Sequence, residues 1–305
     1  MSFTISKIAD HGTSSPIATR LTIQIFELLD HCNLSKEDAD RIKDICMNSL
    51  RKKLMRCWEI TDRFWSEFRK ELDAYKEVPR HPMIVSVPHI LRLEEECHNF
   101  LYEAKSFVRD LLQAVNIIYG TAFVEASEYY PPKKPVKGKQ SLIEFVEKRF
   151  GPNDPKTERY HDMLPTVERV VNYRNAVEHP GGRAGTLHIR NFRLDPNGKF
   201  SEPGWWTEKD AIKGVESSIG ADFCCITENL LMLAEETIVL WANDNLRFPQ
   251  MSRIAMVPEE RRDPQKPILY VVTASEELEH KLMNMAAQQV PPTAEQGDVI
   301  RANEN

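Results

Sequence analysis

The sequence predicts a mainly α-helical protein with small β additions, and three observations lead to this fold class. Apolar residues recur at three- and four-residue spacing over long segments, as they do on the buried face of an amphipathic helix. Strand-like patterns are confined to two short stretches, near residues 186–206 and 253–273. Only 12 of the 305 residues are glycine, so a fold built from many strands and tight turns is not favoured.

Residues 1–80 are predicted to form an N-terminal helical region. An apolar stripe over 21–29 indicates one helix. Ser35 is expected to cap a second helix, with Asp38 three residues later as the other half of a weak capping box. This second helix is long, its pattern allows an interruption near Thr61, and the prolines near residue 80 end it.

Residues 86–246 carry four further helical segments. The most regular segment follows Pro88 and keeps its apolar spacing from Ile90 to Ile118, over about eight turns. The other three are predicted at 141–150, at roughly 161–178, and from 219 to 241.

Two β hairpins are expected outside these helices. The first is an insertion at about 184–206, where Asp195-Pro196-Asn197-Gly198 is a turn sequence between strand-like residues 186–192 and 199–200. The second lies in a C-terminal β/α appendage at 250–285, with strand candidates at 253–257 and 268–273. The polar residues 286–305 are predicted to be a disordered tail.

The charge balance and the cysteines disfavour several classes of protein. The net charge is −6, with 40 basic and 46 acidic residues, which argues against coating nucleic acid through bulk charge. The 6 cysteines form no C-x-x-C pair and no zinc spacing with histidine, so no metal site is expected, and reduced thiols in the cytoplasm are the simplest interpretation. No other cofactor is expected, because the sequence has no Walker loop and no dinucleotide fingerprint. No membrane association is expected, because residues 1–12 lack a signal-peptide core and Glu235 and Glu236 interrupt the most apolar stretch.

The helix that ends near residue 178 carries the residues best suited to chemistry. Its apolar stripe is formed by Leu164, Val167 and Val171, and Arg174 falls on the same stripe. A guanidinium that faces a core is strongly unfavourable unless an anion meets it. That anion is either Glu178, one turn away on the same helix, or a bound ligand.

Asn175 and His179 lie one turn apart on a neighbouring face of this helix. The amide could hold one imidazole nitrogen and leave the other free for proton transfer. Because His179 precedes Pro180, it is expected at the frayed end of the helix, projecting into a cleft. An imidazole that moves the proton of a ribose 2′-hydroxyl, and a guanidinium that stabilises charge on phosphorus, would suit cleavage of RNA without a metal.

The sequence Arg174-Asn175-Ala176-Val177-Glu178-His179 resembles the R-[polar]-x(3–5)-H motif of the HEPN superfamily, and it lies on the third of the four predicted helices. The resemblance covers roughly residues 86–246. It implies a HEPN-like up-and-down four-helix bundle that forms a homodimer, with two copies of the motif in one composite ribonuclease site. In that site Arg174 and His179 would be catalytic and Asn175 the polar member. Many members of the superfamily are metal-independent endoribonucleases of toxin–antitoxin, antiviral defence or RNA-processing systems, and others are inactive binding modules.

Two other segments have similar spacing. Arg183 and His188 are separated by four residues, and Arg92 and His98 by five. In both cases a non-polar residue follows the arginine, so the segment that begins at Arg174 is the preferred candidate.

Two further groups of residues could contact RNA. Lys133, Lys134 and Lys139 lie in a basic, proline-rich loop and are predicted to bind substrate phosphates, although a solvated loop has the same composition. Trp205-Trp206 could stack on a base, but anchoring the hairpin to the helices is the favoured interpretation.

Two functions are therefore expected from the sequence. The first is a metal-independent endoribonuclease that cleaves RNA as a homodimer. The alternative is a catalytically inactive HEPN-like dimeric module that binds a partner protein, which could be a cognate partner, or a nucleotide. If Arg174 and His179 are both sealed inside one bundle by Glu178 or another carboxylate, the alternative is favoured. If both open onto a positively charged cleft lined by the dimer, the nuclease is favoured.

Overall fold

The computed structural model describes residues 12–77, 86–132, 138–194 and 200–288, and in these ranges the protein is mainly helical. Two π-helical segments, Arg20–Gln24 and Ile45–Leu50, each join two α-helices into a longer one. The α-helices are α1 (Pro16–Thr19), α2 (Ile25–Asp30), α3 (Lys36–Asp44), α4 (Arg51–Glu77), α5 (Leu93–Tyr119), α6 (Leu142–Phe150), α7 (Pro155–Glu178), α8 (Glu208–Ile212), α9 (Ile219–Asp244) and α10 (Glu276–Gln288).

Seven short strands form three small antiparallel sheets in the described ranges: β1 (Leu187–Arg190), β2 (Arg193–Leu194), β3 (Phe200–Ser201), β4 (Gly204–Thr207), β5 (Ser217–Ser218), β6 (Ser252–Met256) and β7 (Tyr270–Ala274). Strand β4 lies between β1 and β5, β2 pairs with β3, and β6 pairs with β7. The pairing of β6 with β7 confirms the two strands predicted there. In the first insertion a hairpin is present, but its strands are β2 and β3, in which Leu194 pairs with Phe200. The prediction is corrected for the preceding strand, because β1 pairs with β4. The turn predicted at 195–198 lies outside the described residues.

Four long helices, α4, α5, α7 and α9, enclose the largest part of the core. Helices α5 and α9 each contact the other three. Phe100 of α5 and Phe223 of α9 are fully buried at their crossing, with ring centroids 4.1 Å apart and planes 17° from parallel. One hydrophobic cluster of described residues includes side chains from Ile17 to Ala242, so helices before and after residue 80 share this core.

The composition of this core differs from the prediction in one helix. The segment 141–150 forms only the nine-residue α6, which packs mainly against α7. Its expected place among the four long helices is taken by α4, from the predicted N-terminal region. Helix α4 brings Leu54, Ile60 and Phe64 into the core, and this buried face is why it joins the later helices.

Local chemistry explains where the helices begin. Ser35 accepts a hydrogen bond from the backbone N–H of Asp38, as its predicted capping role requires. Helix α7 begins at Pro155, about six residues before the predicted start, because Asp154 caps it and proline is favourable in the first helical position. Helix α4 runs through Thr61 without interruption, and the buried hydroxyl of Thr61 is satisfied within the helix, where it donates to the carbonyl of Cys57 at 2.9 Å.

Trp205 anchors the first hairpin to the helices, which confirms the favoured interpretation of the tryptophan pair. Its side chain is fully buried, and its indole N–H donates to Oδ2 of Asp222 on α9 at 2.5 Å. Its ring packs edge-on against Tyr173 of α7 and Phe223 of α9, with centroids 5.3 and 5.5 Å apart. The chain that follows α7 is therefore held close to the end of that helix.

A buried polar network joins the N-terminal helices to α9 and β7. The Glu235 carboxylate, 1% exposed, accepts from Nε of Arg20 at 2.9 Å and from the Gln24 amide at 2.6 Å. The amide oxygen of Gln24 accepts the backbone N–H groups of Leu269 and Tyr270 at 2.6 and 2.9 Å. Of the two glutamates that interrupt the most apolar stretch of the sequence, Glu235 thus has both carboxylate oxygens hydrogen-bonded. None of the helices in the described ranges has the length and apolar character needed to cross a bilayer.

The network predicts a large loss of stability when its cation is removed. Arg20→Met leaves the buried Glu235 carboxylate without a counter-charge, so the free energy of unfolding should fall by about 3 kcal/mol in urea denaturation. The matched control is Arg41→Met, because Arg41 and Asp38 form an exposed pair on α3, with side chains 61% and 38% exposed. Its loss should stay below about 1 kcal/mol. Equal losses in the two variants would show that Glu235 does not depend on Arg20.

Candidate functional site

The last turn of α7 lies against one face of α5, and this contact forms the candidate site. On α5, His98, Tyr102 and Lys105 are spaced by four and three residues and therefore share a face. On α7, this face contacts Arg174 and Asn175, the first two residues of the sequence motif. The structure thus adds three residues of α5 that the sequence analysis did not assign to the site.

Arg174 lies at the edge of the contact between the helices. Its side chain is 18% exposed, and its Nε donates to Oε1 of Glu178 at 3.1 Å. The guanidinium carbon lies 5.3 Å from the centroid of the Tyr102 ring, in a cation–π contact. Among the described residues, none accepts a hydrogen bond from the two terminal Nη nitrogens. Glu178 therefore occupies only one part of the guanidinium fork.

Asn175 is held by a lysine of the neighbouring helix. Its Oδ1 accepts from Nζ of Lys105 at 2.9 Å, and the same ammonium donates to Oε2 of Glu178 at 2.7 Å. The structure therefore does not form the contact expected between the amide and the imidazole of His179. An ammonium that reaches both an amide oxygen and a carboxylate makes a stronger, charge-assisted hydrogen bond than a neutral imidazole offers.

His179 ends α7, as its position before proline predicts. It is the C-cap residue, with φ −135° and ψ 69°, and its side chain is exposed. Its backbone N–H donates to the carbonyl of Asn175, and its own carbonyl accepts the N–H of Gly182, both at 2.9 Å. A Cβ on Gly182 would lie 2.8 Å from that carbonyl oxygen, so glycine is required where the chain turns back under His179.

His98 lies close enough to Arg174 for the two to interact electrostatically. Partial burial lowers the pKa of His98 below its usual value, and the charge of Arg174 lowers it further, against an opposing effect of Glu94. The imidazole is therefore predominantly neutral at pH 7. The sequence analysis paired His98 only with Arg92. His98, Tyr102 and Lys105 share a polar face of α5, which is visible in the sequence. That face identifies Arg174 as the neighbour of His98 only once α7 is known to pack beside α5.

Glu178 is the electrostatic centre of the site. Partial burial acts to raise the pKa of its carboxyl group, but the hydrogen bond and charge of Lys105, together with the charge of Arg174, outweigh that effect and hold the pKa below its usual value. The carboxylate is consequently ionised at neutral pH. Because the folded state holds this proton more weakly, the cluster stabilises the fold above the ordinary glutamate pKa and loses that contribution as the pH falls through the lowered value.

The predicted substrate-binding lysines are not brought into this cluster by the described contacts. Lys133 and Lys134 lie outside the described residues. Lys139 is exposed, and its Nζ lies 3.6 Å from Oε1 of Glu128. The rival histidine His188 is on β1, where it stacks on Trp206 and lies 3.4 Å from Glu208.

The described residues offer no set of three or more histidine, cysteine or acidic side chains grouped to hold a metal ion.

Comparison with protein-family models, with curated proteins and with solved structures finds no match to this chain. The chemistry of the site must therefore be inferred from its own residues.

The cluster predicts a change in the pKa of Glu178 when its main cation is removed. Lys105→Met keeps the aliphatic stem and removes the ammonium, so the pKa of Glu178 should rise towards the ordinary glutamate value. A pH titration of the Glu178 side-chain carboxyl carbon by NMR measures this change. Lys52→Met, at an exposed position of α4, should leave the Glu178 titration unchanged. If the pKa of Glu178 is unaltered in Lys105→Met, Lys105 does not stabilise the Glu178 carboxylate.

Proposed function

We propose that this protein is a HEPN-like, metal-independent endoribonuclease that cleaves RNA as a homodimer. The observation that supports the proposal most is the hydrogen bonding of the Arg174 guanidinium. Its guanidinium is held in place by Glu178 and Tyr102, yet its terminal nitrogens have no acceptor in the described part of the chain. This is a fixed cation at a surface, with donors free for the two oxygens of a phosphate.

The proposed roles follow from the chemistry of the three motif residues. Arg174 binds the scissile phosphate and stabilises the charge that develops on it. His179, exposed at the helix end, accepts the proton of the ribose 2′-hydroxyl, and the 2′-oxygen attacks phosphorus. The 5′-oxygen leaves with a proton from the same histidine of the second protomer. The products are a 2′,3′-cyclic phosphate and a 5′-hydroxyl, and Asn175 contributes by holding Lys105 beside Glu178.

The remaining parts of the proposal rest on the HEPN resemblance. In that resemblance Arg174 lies on the third of the four helices predicted within residues 86–246, the one that corresponds to α7. It also suggests a cytoplasmic role in RNA processing, antiviral defence or a toxin–antitoxin pair with a cognate protein partner. Lys139 and the neighbouring Lys133 and Lys134 are proposed as contacts to RNA phosphates further from the cleavage point.

One observation favours the alternative of a catalytically inactive binding module. Glu178 already pairs with Arg174 within the helix at 3.1 Å, and Lys105 binds the other carboxylate oxygen at 2.7 Å. If this carboxylate satisfies Arg174 permanently, the bundle serves only to bind a partner protein or a nucleotide. The alternative gives no role to His179, whose side chain is exposed.

The nuclease proposal predicts which RNA ends are formed and how far the cleavage rate falls when His179 is replaced. Purified protein incubated with mixed single-stranded RNA in EDTA should release fragments with 2′,3′-cyclic phosphate ends. His179→Ala should lower the cleavage rate at least about 100-fold, because general acid–base catalysis contributes about 10²–10⁴. Gel analysis with end-group chemistry measures both effects. Cleavage by the variant at the wild-type rate would contradict the role of His179.

His188→Ala is the matched control, since His188 belongs to the rival spacing and lies on β1. It should cleave at the wild-type rate. Sedimentation of the wild-type protein should give twice the mass of the 35.2 kDa chain. A monomer at concentrations that support cleavage would contradict the composite site, while a dimer without cleavage would favour the binding module.

A further inference from the structure

We propose that Tyr102 is a stacking platform for a nucleobase of single-stranded RNA, one nucleotide position away from the phosphate that Arg174 binds. This inference rests on the proposed function, because it requires a phosphate at Arg174. It adds a residue of α5 to the site and specifies the class of substrate. It also explains why a large aromatic side chain lies at the surface here.

Tyr102 is unusual among the tyrosines described in the core helices. It is 53% exposed, whereas Tyr119, Tyr129, Tyr160 and Tyr173 are covered to a large extent by the fold. Within the described ranges no other aromatic ring packs on Tyr102, and its hydroxyl makes no hydrogen bond. The described contact to its ring is the Arg174 guanidinium, 5.3 Å from the centroid. This contact leaves ring surface open to solvent.

The open ring surface has the chemistry that a nucleobase recognises. Base–aromatic stacking uses π-faces, which every base has, so it needs no hydrogen bonds to base edges. A guanidinium against the tyrosine ring adds a cation–π contribution, and the same cation can bind the phosphate of the neighbouring nucleotide. The arrangement therefore fits one base and one neighbouring phosphate. It also selects single strands, because the faces of paired bases are already stacked within a duplex.

Positive charge continues along the same face of α5. Lys105 and Arg109 follow Tyr102 by three and seven residues, and their side chains are 22% and 46% exposed. Each has an acidic neighbour, since Lys105 pairs with Glu178, and Arg109 contacts Asp110 at 3.0 Å. The face is therefore only weakly basic. In this setting stacking on Tyr102 supplies binding energy that charge alone does not, which agrees with the overall charge of −6.

The experiment measures binding without cleavage. The probe is a fluorescent 2′-O-methyl oligoadenylate, which lacks the attacking hydroxyl, and its partner is an abasic oligomer with the same backbone. Binding of both probes is measured by anisotropy at low salt for the full-length wild type, Tyr102→Ala and Tyr102→Trp. Phe248→Ala is the control, because Phe248 is a similarly exposed aromatic residue, 60% exposed, that follows α9.

Tyr102→Ala should weaken binding of the oligoadenylate about tenfold, which lies within the range for loss of one stacked base. Tyr102→Trp should restore it, and Phe248→Ala should match the wild type. For the abasic oligomer, wild type and Tyr102→Ala should bind with the same affinity.

An equal loss on both probes would overturn the inference, because Tyr102 would then act only by supporting Arg174. A wild-type protein that binds neither probe would overturn it as well. The outcome is separate from that of the cleavage assay. If binding depends on the base but the protein cuts no RNA, the stacking role of Tyr102 is supported and the nuclease proposal is wrong. If the protein cleaves RNA but Tyr102→Ala has no base-dependent effect on binding, only the stacking role is wrong.

Discussion

The ammonium of Lys105 is the contact on which the candidate site depends. It reaches from α5 to both the amide of Asn175 and the carboxylate of Glu178 on the last turn of α7. Glu178 in turn fixes the direction of the Arg174 guanidinium. One cation therefore connects two helices and sets the orientation of a second cation, which is otherwise free to move on a flexible side chain. Without the Glu178 carboxylate between them, the like charges of Lys105 and Arg174 would repel each other across the same face.

The rest of the fold positions this contact. The stacked rings of Phe100 and Phe223 fix α5 against α9 in the core, and Trp205 holds the hairpin against α7 and α9. Directly after α7 the chain makes a tight turn, in which the Gly182 N–H donates to the His179 carbonyl, and the His179 side chain is exposed. The network around Glu235 stabilises the N-terminal helices at a separate part of α9. The site is thus a surface feature built on a buried, rigid support.

The sequence predicted those features that local physics decides. The regular spacing from Ile90 to Ile118 corresponds to α5, and Ser35 caps its helix as expected. The sequence analysis placed the start of α7 near residue 161, because it did not use Asp154 as the N-cap and Pro155 as the favoured first residue of the helix. In each of these cases the deciding interactions lie within a few residues of one another.

The remaining features depend on contacts between distant segments. Lys105 and Asn175 are separated by 70 residues, and no periodicity in either helix indicates that they meet. The sequence analysis gave Asn175 a partner within its own helix, but a charged partner on another helix takes its place. His98 and Tyr102 were missed for the same reason, because both interact with Arg174, which is distant in the sequence and lies on another helix. The HEPN resemblance and the catalytic roles stay predictions.

The central claim is that the free end of the Arg174 guanidinium binds an RNA phosphate, and its own NMR signals test this most directly. The Nε–Hε and Nη–Hη resonances of Arg174 can be followed in protein labelled with ¹⁵N-arginine while a 2′-O-methyl oligonucleotide is added. The account predicts that the Nη signals shift and sharpen as the phosphate restrains them. Unchanged Arg174 signals at a concentration where the oligonucleotide is bound would contradict it, because the RNA would then be held elsewhere on the protein.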